Sequence, residues 1–182
     1  VHDAKGEHEK SLEYYENALS IQLQSLEEHH PDVASTYCNI GLANDKKGEY
    51  DKALEYYEKT IQIQLQSLGE HHQSLSTTYC NMGSCYESKG EYDNALECID
   101  KALSIQLATL SETHPDVAII YINMGLVLMK RGDYDKAIEC TEKALSIQLK
   151  ALGERHCALA TTYCNIGVIC DNKGEHAKAL EH

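Results

Sequence analysis

Five glycines recur at an unbroken spacing of 42 residues, at positions 6, 48, 90, 132 and 174. The flanking text repeats with them, as in KGEYDKALEYYEKTIQIQLQSL from Lys47 and KGEYDNALECIDKALSIQLATL from Lys89. Self-similarity at such a period is typical of a solenoid, in which each unit is one supersecondary element. The predicted boundaries are a partial repeat over 1–27, repeats over 28–69, 70–111 and 112–153, and a partial repeat over 154–182. Neither end has the polar cap of a finished solenoid, so we expect a slice of a longer array.

Each period is predicted to contain two helices separated by the recurring glycine. Pro31 and Asp32 suit the first turn of helix A, where proline loses no hydrogen bond and a carboxylate favours the helix dipole. Gly69 and Gly153 are expected to end helix B in the left-handed conformation. Helix A is predicted at 32–46, 74–88, 116–130 and 158–172, and helix B at 9–26, 51–68, 93–110 and 135–152.

The apolar residues of helix B recur at intervals of three and four, which predicts one buried face. In the second copy this face comprises Ala53, Leu54, Tyr57, Ile61, Leu65 and Leu68. The opposite face carries glutamate and lysine four residues apart, where two side chains meet on a helix surface. We therefore expect exposed ion pairs between Glu55 and Lys59, Glu97 and Lys101, and Glu139 and Lys143.

Helix A has two faces of different character at about 100° per residue. Tyr37, Ile40, Gly41 and Asn44 form a stripe that we expect to pack on helix B. A second stripe lies roughly opposite and is named here the A-helix stripe. Its four levels are Ser35, Thr77, Ile119 and Thr161; Asn39, Asn81, Asn123 and Asn165; Leu42, Ser84, Leu126 and Val168; and Lys46, Ser88, Lys130 and Asn172.

The charge balance excludes several classes of function. A net charge of −13 lacks the clustered lysine and arginine that nucleic-acid phosphates or an anionic membrane require. In so acidic a chain, a stripe that stays uncharged until its last level indicates a surface that a partner covers. The eight cysteines follow the repeat rather than a disulfide framework, so we expect a reducing, cytoplasmic setting.

The adjacent cysteine and asparagine of TTYCNMG, residues 77–83, invite a nucleophile or metal site. Cys38, Cys80 and Cys164 are equivalent, however, and equivalent atoms of neighbouring units lie about 8–10 Å apart, beyond disulfide or metal-shell reach. Ile122 takes this place in the third full helix A, so we interpret Cys80 as incidental and expect half-buried, reduced thiols. A cysteine nucleophile also needs a uniquely positioned base, and every candidate here repeats. We predict no catalytic residue, no metal site and no cofactor.

Histidines cluster in the linkers that lead from helix B to helix A. We expect them to cap and pack these linkers, with an adventitious metal along one edge as the alternative. The positions are His29, His30, His71, His72, His114 and His156.

The chain resembles the tetratricopeptide repeat. The signature spacing is carried by Tyr37, Ile40, Gly41, Gly48, Tyr50, Ala53, Tyr57 and Thr60, with Ala18, Ala102 and Ala144 at the family's usual alanine. An ordinary unit has about 34 residues, and this longer version resembles the repeats of kinesin light chains and nephrocystin-3-like proteins. The resemblance implies an all-α solenoid, a right-handed superhelix of helix-turn-helix repeats, that serves as a protein-interaction scaffold and not as an enzyme.

The resemblance also implies a binding surface. In tetratricopeptide proteins the A helices line a concave groove, and the position of the four stripe asparagines contacts bound peptide. Each asparagine would offer a donor and an acceptor to an extended or helical peptide, and Leu42, Leu126 and Val168 would add apolar area. Members that clamp a C-terminal carboxylate have lysine or arginine where this chain has Ser, Thr and Ile. With Asp45 and Glu87 beside the stripe, we expect a neutral or basic peptide, not an acidic tail.

Three alternatives stay open. Each asparagine could instead tie neighbouring A helices together. The chain could be a spacer or a self-assembling element whose ends stack on further copies. It could also be the regulatory arm of a larger enzyme.

Overall fold

The computed structural model describes residues 2–175, and for residues 2–8 it describes the backbone alone. Within this range the regular elements are α-helices, and helices B and A alternate as predicted. They are α1 (His2–Ser25), α2 (Pro31–Lys47), α3 (Tyr50–Leu68), α4 (Gln73–Lys89), α5 (Tyr92–Thr109), α6 (Pro115–Arg131), α7 (Tyr134–Leu152) and α8 (Cys157–Lys173). None of the described helices is long and apolar enough to cross a membrane.

The chain divides into two units, Val1–Glu91 and Tyr92–His182. In the first unit α2 packs between α1 and α3, α3 packs on α4, and the two A helices α2 and α4 touch. In the second unit α6 packs between α5 and α7, α7 packs on α8, and the A helices α6 and α8 touch. Each unit therefore presents a pair of neighbouring A helices.

Every described A helix begins at a histidine cap. His30 Nδ1 accepts a hydrogen bond from the backbone N–H of Asp32 at 3.2 Å, and His72, His114 and His156 repeat this contact at the same distance. The acceptor nitrogen satisfies one of the N–H groups that the first helical turn leaves without a partner. The capping role predicted for the linker histidines is confirmed for these four.

Glycine ends the described A helices and the B helices α3 and α7 in different ways. Gly48 is left-handed, with φ 82° and ψ 13°, and the backbone N–H of Glu49 donates to Asn44 O at 2.9 Å. Gly69 and Gly153 also have positive φ, but their ψ values are 168° and 166°, so the predicted left-handed cap of helix B is wrong. The chain leaves helix B in an extended direction that only glycine adopts readily.

The first helix differs from the prediction at its start. α1 runs from His2 through Gly6, where the glycine spacing predicted a break between helix A and helix B. Gly6 therefore lies inside a helix, whereas Gly48 at the corresponding position of the next repeat has a positive φ. The last predicted turn, from residue 176 onward, lies outside the described residues.

The buried face of helix B is only partly the predicted one. Ala53, Leu54 and Tyr57 are buried, whereas Leu65 is 41% exposed and Gln64 is buried. α3 contacts both α2 and α4, so its buried face is broader than one stripe. The polar side chain of Gln64 can be buried there because its hydrogen-bond partner lies on α4.

That partner belongs to a recurring hydrogen bond that the sequence analysis overlooked. The hydroxyl of Thr78 on α4 donates to Gln64 Oε1 at 3.0 Å, and equivalent bonds of 2.7 Å join Thr36 to Gln22 and Thr162 to Gln148. In the third copy Ile120 replaces the threonine, and Gln106 Oε1 is buried without a hydrogen-bond partner among the described residues.

Of the three predicted ion pairs on helix B, the structure forms the one between Glu97 and Lys101, at 2.8 Å. Lys59 Nζ instead lies 5.2 Å from the ring centroid of Tyr56, and Lys143 Nζ lies 5.0 Å from that of Tyr121. These two predicted pairs are wrong because the ammonium group has an aromatic face within reach.

A second overlooked feature is a charged bridge at the end of each A helix. The last basic residue of the A helix contacts two acidic residues. One lies on the preceding helix B, and the other lies two positions after the basic residue itself. The sets are Lys47 with Glu9 and Glu49, Lys89 with Asp51 and Glu91, Arg131 with Asp93 and Asp133, and Lys173 with Asp135 and Glu175.

Candidate peptide-binding surface

The two faces of helix A differ in exposure as the helical period predicts. In α2, Ile40 and Gly41 are buried, whereas Ser35 and Asn39 are exposed. A Cβ atom on Gly41 would lie 2.8 Å from Tyr57 Cε1, so the absence of a side chain lets α2 approach α3 closely. The buried face therefore positions the opposite stripe at the surface.

The A-helix stripe reaches the surface in all four described A helices. Its half-buried members are Leu42, Asn81, Asn123, Leu126 and Asn165. Its exposed members are Ser35, Asn39, Lys46, Thr77, Ser84, Ser88, Ile119, Lys130, Thr161, Val168 and Asn172. None of these side chains is committed to the core, so the stripe can contact a partner.

Two of the exposed members are apolar. Ile119 on α6 is 53% exposed and Val168 on α8 is 51% exposed. Both belong to the second unit, and their counterparts on α4 in the first unit are Thr77 and Ser84. The sequence placed these residues on the stripe but did not distinguish the two units.

The stripe asparagines differ in their partners. Asn81 Nδ2 donates to Cys38 Sγ on α2 at 3.8 Å. Burial raises the pKa of the Cys38 thiol, while the hydrogen bond from Asn81 acts in the opposite direction. Cys38 thus joins two A helices, a contact that the sequence did not indicate for this thiol. The missed signal is that Cys38 directly precedes Asn39, the equivalent of Asn81, so that one repeat plus one residue separates the thiol from the amide that it meets.

The second unit lacks this tie. Ile122 stands on α6 where α2 has Cys38, and Asn165 on α8 has no side-chain hydrogen bond to any described residue. The alternative that asparagines only join neighbouring helices therefore fits Asn81 and does not fit Asn165.

Two of the three acidic residues beside the stripe are half-buried, so they are less accessible to a partner than the sequence suggested. Asp45 is half-buried, and burial raises the pKa of its carboxyl group, while a hydrogen bond accepted from the Cys85 thiol acts to lower it. Since Cys85 is a buried residue of α4, Asp45 is directed toward the neighbouring A helix. Glu87 is half-buried, and Asp171 is exposed.

The cysteines form no disulfide: all eight are free. Burial raises the pKa of Cys80 to about 11 and, with Asp45 adding to the effect, that of Cys85 to about 12. Both thiols are therefore protonated at neutral pH and poorly nucleophilic. Cys164 is exposed and not half-buried as predicted, because no described helix follows α8 to cover it. Among the side chains of residues 9–175, no group of three or more possible metal ligands lies together.

Known proteins share this architecture. A search of curated proteins finds no match. BtubC (BKLC) from P. vanneervenii superposes with a TM-score of 0.84 at 25% identity, over 98% of this chain and 71% of that one. A putative kinesin light chain of Podosopora anserina with nearly identical TPR-like repeats gives 0.83 at 23% identity, over 97% and 83%. MamA gives 0.63 at 21% identity, over 98% and 86%. The last two likenesses show a common fold.

The match to a sequence family extends along the whole chain. The family model for the tetratricopeptide repeat matches residues 1–66, 46–108, 74–128 and 116–182. Together with the eight described helices, this match confirms the all-α solenoid class expected from the 42-residue period. The protein therefore belongs to the tetratricopeptide repeat family.

Proposed function

We propose that the A-helix stripe binds a peptide segment of a partner protein along the paired A helices of each unit. Proteins of this family generally mediate protein–protein interaction, and the fold is typically a non-catalytic scaffold. One observation carries the proposal. In a chain of net charge −13, the stripe has no ionisable side chain at its first three levels, yet it remains at the surface in all four A helices.

The stripe asparagines supply the hydrogen bonds of this proposal. An amide side chain offers both donor and acceptor, the pattern that a peptide backbone complements. The bond from Asn81 to Cys38 ends on sulfur, a weak acceptor. A peptide carbonyl can therefore compete for the amide at little cost.

The charges around the stripe favour a neutral or basic peptide. Ser35, Thr77, Ile119 and Thr161 carry no positive charge to hold a terminal carboxylate. Exposed Asp171 adds negative charge beside the stripe on α8. Asp45 contributes less negative charge because it is half-buried. The eight free thiols suit a reducing compartment, so we place the interaction in the cytoplasm.

The test is a fluorescence-anisotropy screen of a capped dodecapeptide library against the whole chain. For a binding peptide, Asn81→Ala and Asn123→Ala should each weaken Kd about 3- to 10-fold, the range of one lost hydrogen bond. Gln62→Ala, on the exposed face of helix B, is the matched control and should leave Kd unchanged. Circular dichroism should show native helicity in all three variants. Unchanged affinity in both asparagine variants would refute binding through the stripe.

End-to-end association with a second copy is a second candidate, favoured by one feature of α1. Tyr14 and Ile21 are 73% and 67% exposed, whereas the counterparts of Ile21, Ile63 and Ile105, are 5% and 8% exposed. α1 therefore shows a face that the other B helices bury. Sedimentation should reveal mass that rises with concentration and falls in Ile21→Ser; a monomer at all concentrations would exclude this candidate.

A further inference from the structure

The stripes of the two units differ in chemistry. In the first unit the exposed members at the first and third levels are Ser35, Thr77 and Ser84. In the second unit the corresponding exposed members include Ile119 and Val168, each about half exposed at 53% and 51%. Among the described residues, these are the large exposed hydrophobic side chains that lie on A helices.

Folding alone does not account for these two residues. β-branched side chains lower helix propensity, and the half of each side chain that faces water adds nothing to the core. At the first level the other A helices carry serine or threonine, and at the third level α4 carries serine while α2 and α6 carry leucine, which is half-buried. A single exposed hydrophobic residue is ordinary, but these two lie on one stripe of two touching helices.

The same stripe also contains an amide that is free to bind. Asn165 is on α8 one helical turn before Val168, and it has no side-chain hydrogen bond within the described part of the chain. Its counterpart Asn81 is held by Cys38. The difference arises because Ile122 replaces the thiol on α6. Exposed apolar surface and an available amide therefore coincide in the second unit.

The spacing of these groups defines a ligand. α6 and α8 run parallel, so Val168 lies at the level of Leu126, seven residues beyond the level of Ile119. Seven residues correspond to about 10 Å along the axis, and neighbouring helices lie about 8–10 Å apart. Ile119 and Val168 are thus separated by about 14 Å, which an extended peptide covers in about four residues at about 3.3 Å each. Residues four apart in an extended chain project to the same side.

Building on the proposed function, we propose that the stripe of the second unit, on α6 and α8, is an anchoring site for apolar side chains of the peptide. It takes an extended peptide with two apolar side chains four residues apart, one on Ile119 and the other between Leu126 and Val168. Asn165 bonds to the peptide backbone between the two anchors.

The experiment uses the whole chain and capped, fluorescein-labelled decapeptides. Each peptide has two leucines in a glycine–serine–glutamine background, separated by two to six positions, and the reference peptide has serine in both places. Anisotropy titration should give the tightest Kd for the separation of four. Ile119→Ser and Val168→Ser should each weaken that Kd about five- to tenfold, the effect of burying roughly 50 Å² less apolar surface. Asn165→Ala should weaken it more than Asn81→Ala.

Exposed residues of helix B, which lie off the stripe, provide the controls. Gln62→Ala on α3 and Ser104→Ala on α5 should leave Kd within about twofold, and circular dichroism should confirm that every variant is helical. If peptides bind but Ile119→Ser and Val168→Ser act no more strongly than these controls, the anchoring role is overturned while stripe binding stands. If no peptide of this set or of the random library binds, both proposals fail together.

Discussion

The buried contact between Thr78 and Gln64 provides the sharpest test of how neighbouring helices are held. Thr78 Oγ1 lies 3.0 Å from both Gln64 Oε1 and Ser74 O, which share its single hydrogen. The side chains of Thr78 and Gln64 are 1% and 7% exposed. Thr78→Val keeps the shape of the side chain and removes that hydrogen. The carbonyl of Ser74 keeps its helical hydrogen bond, so Gln64 Oε1 alone loses its partner.

The expected loss of stability follows from this geometry. A buried acceptor without a partner costs about 1–3 kcal/mol, and the added methyl group of valine returns up to about 0.8 kcal/mol. We therefore expect Thr78→Val to lower the free energy of unfolding by about 1–2 kcal/mol. The third copy already lacks the bond, because Ile120 faces Gln106. Gln106→Met should accordingly raise the free energy of unfolding by about 1 kcal/mol.

Urea unfolding followed by circular dichroism measures both effects, provided that the m-value is unchanged. The double-mutant cycle of Thr78→Val with Gln64→Met should give a coupling of about 1 kcal/mol. Two results would contradict the reasoning. One is a Thr78→Val variant within about 0.3 kcal/mol of the parent, and the other is a Gln106→Met variant as destabilised as Gln64→Met.

Three further predictions concern single side chains. His72→Ala should lower the free energy of unfolding by about 1 kcal/mol in urea titrations, and His72→Asp should restore it, because either acceptor caps the helix; equal loss in both would exclude a capping role. Gly41→Ala should lower the thermal midpoint, since its Cβ would lie 2.8 Å from the buried ring of Tyr57, and an unchanged midpoint would show that the ring moves freely. Hydrogen bonds from Lys47 and a second lysine lower the pKa of Glu49 to about 2 from its ordinary 4.5. The stability from this carboxylate is present above pH 4.5 and is lost as the pH falls toward 2. Glu49→Gln should therefore reduce the change of the thermal midpoint with pH between 4.5 and 2.

The repeat and its helices could be predicted because the signals are local. Glycine after helix A, proline and aspartate at its start, and apolar residues at intervals of three and four each act within one or two turns. The predicted faces of α2 were right for this reason: Ile40 is buried and Asn39 is exposed. The period of a single helix is sufficient to decide both.

Predictions about the partners of polar side chains were less accurate. Glu139 and Lys143 have the spacing of an ion pair, but the lysine lies over the ring of Tyr121 on another helix. Asn81 meets Cys38, a residue 43 positions away, at a distance that no local rule supplies. In both cases the winning partner depends on how two helices pack.

The distinction between the two units also emerged only from packing. The sequence shows that Ile122 replaces a cysteine, and it places Ile119 and Val168 on the stripe. It does not show that Asn165 thereby loses a partner, or that both apolar side chains remain half in water.

The 42-residue period and the 3.6-residue helical period were thus enough to predict a helical solenoid, the alternation of its helices and the exposed face of helix A. The hydrogen bond from Thr78 to Gln64, the amide held by Cys38 and the free amide of Asn165 required the assembled helices. Each of these depends on atoms from different helices lying within about 3–4 Å of each other, and helix packing, not residue spacing, sets such distances.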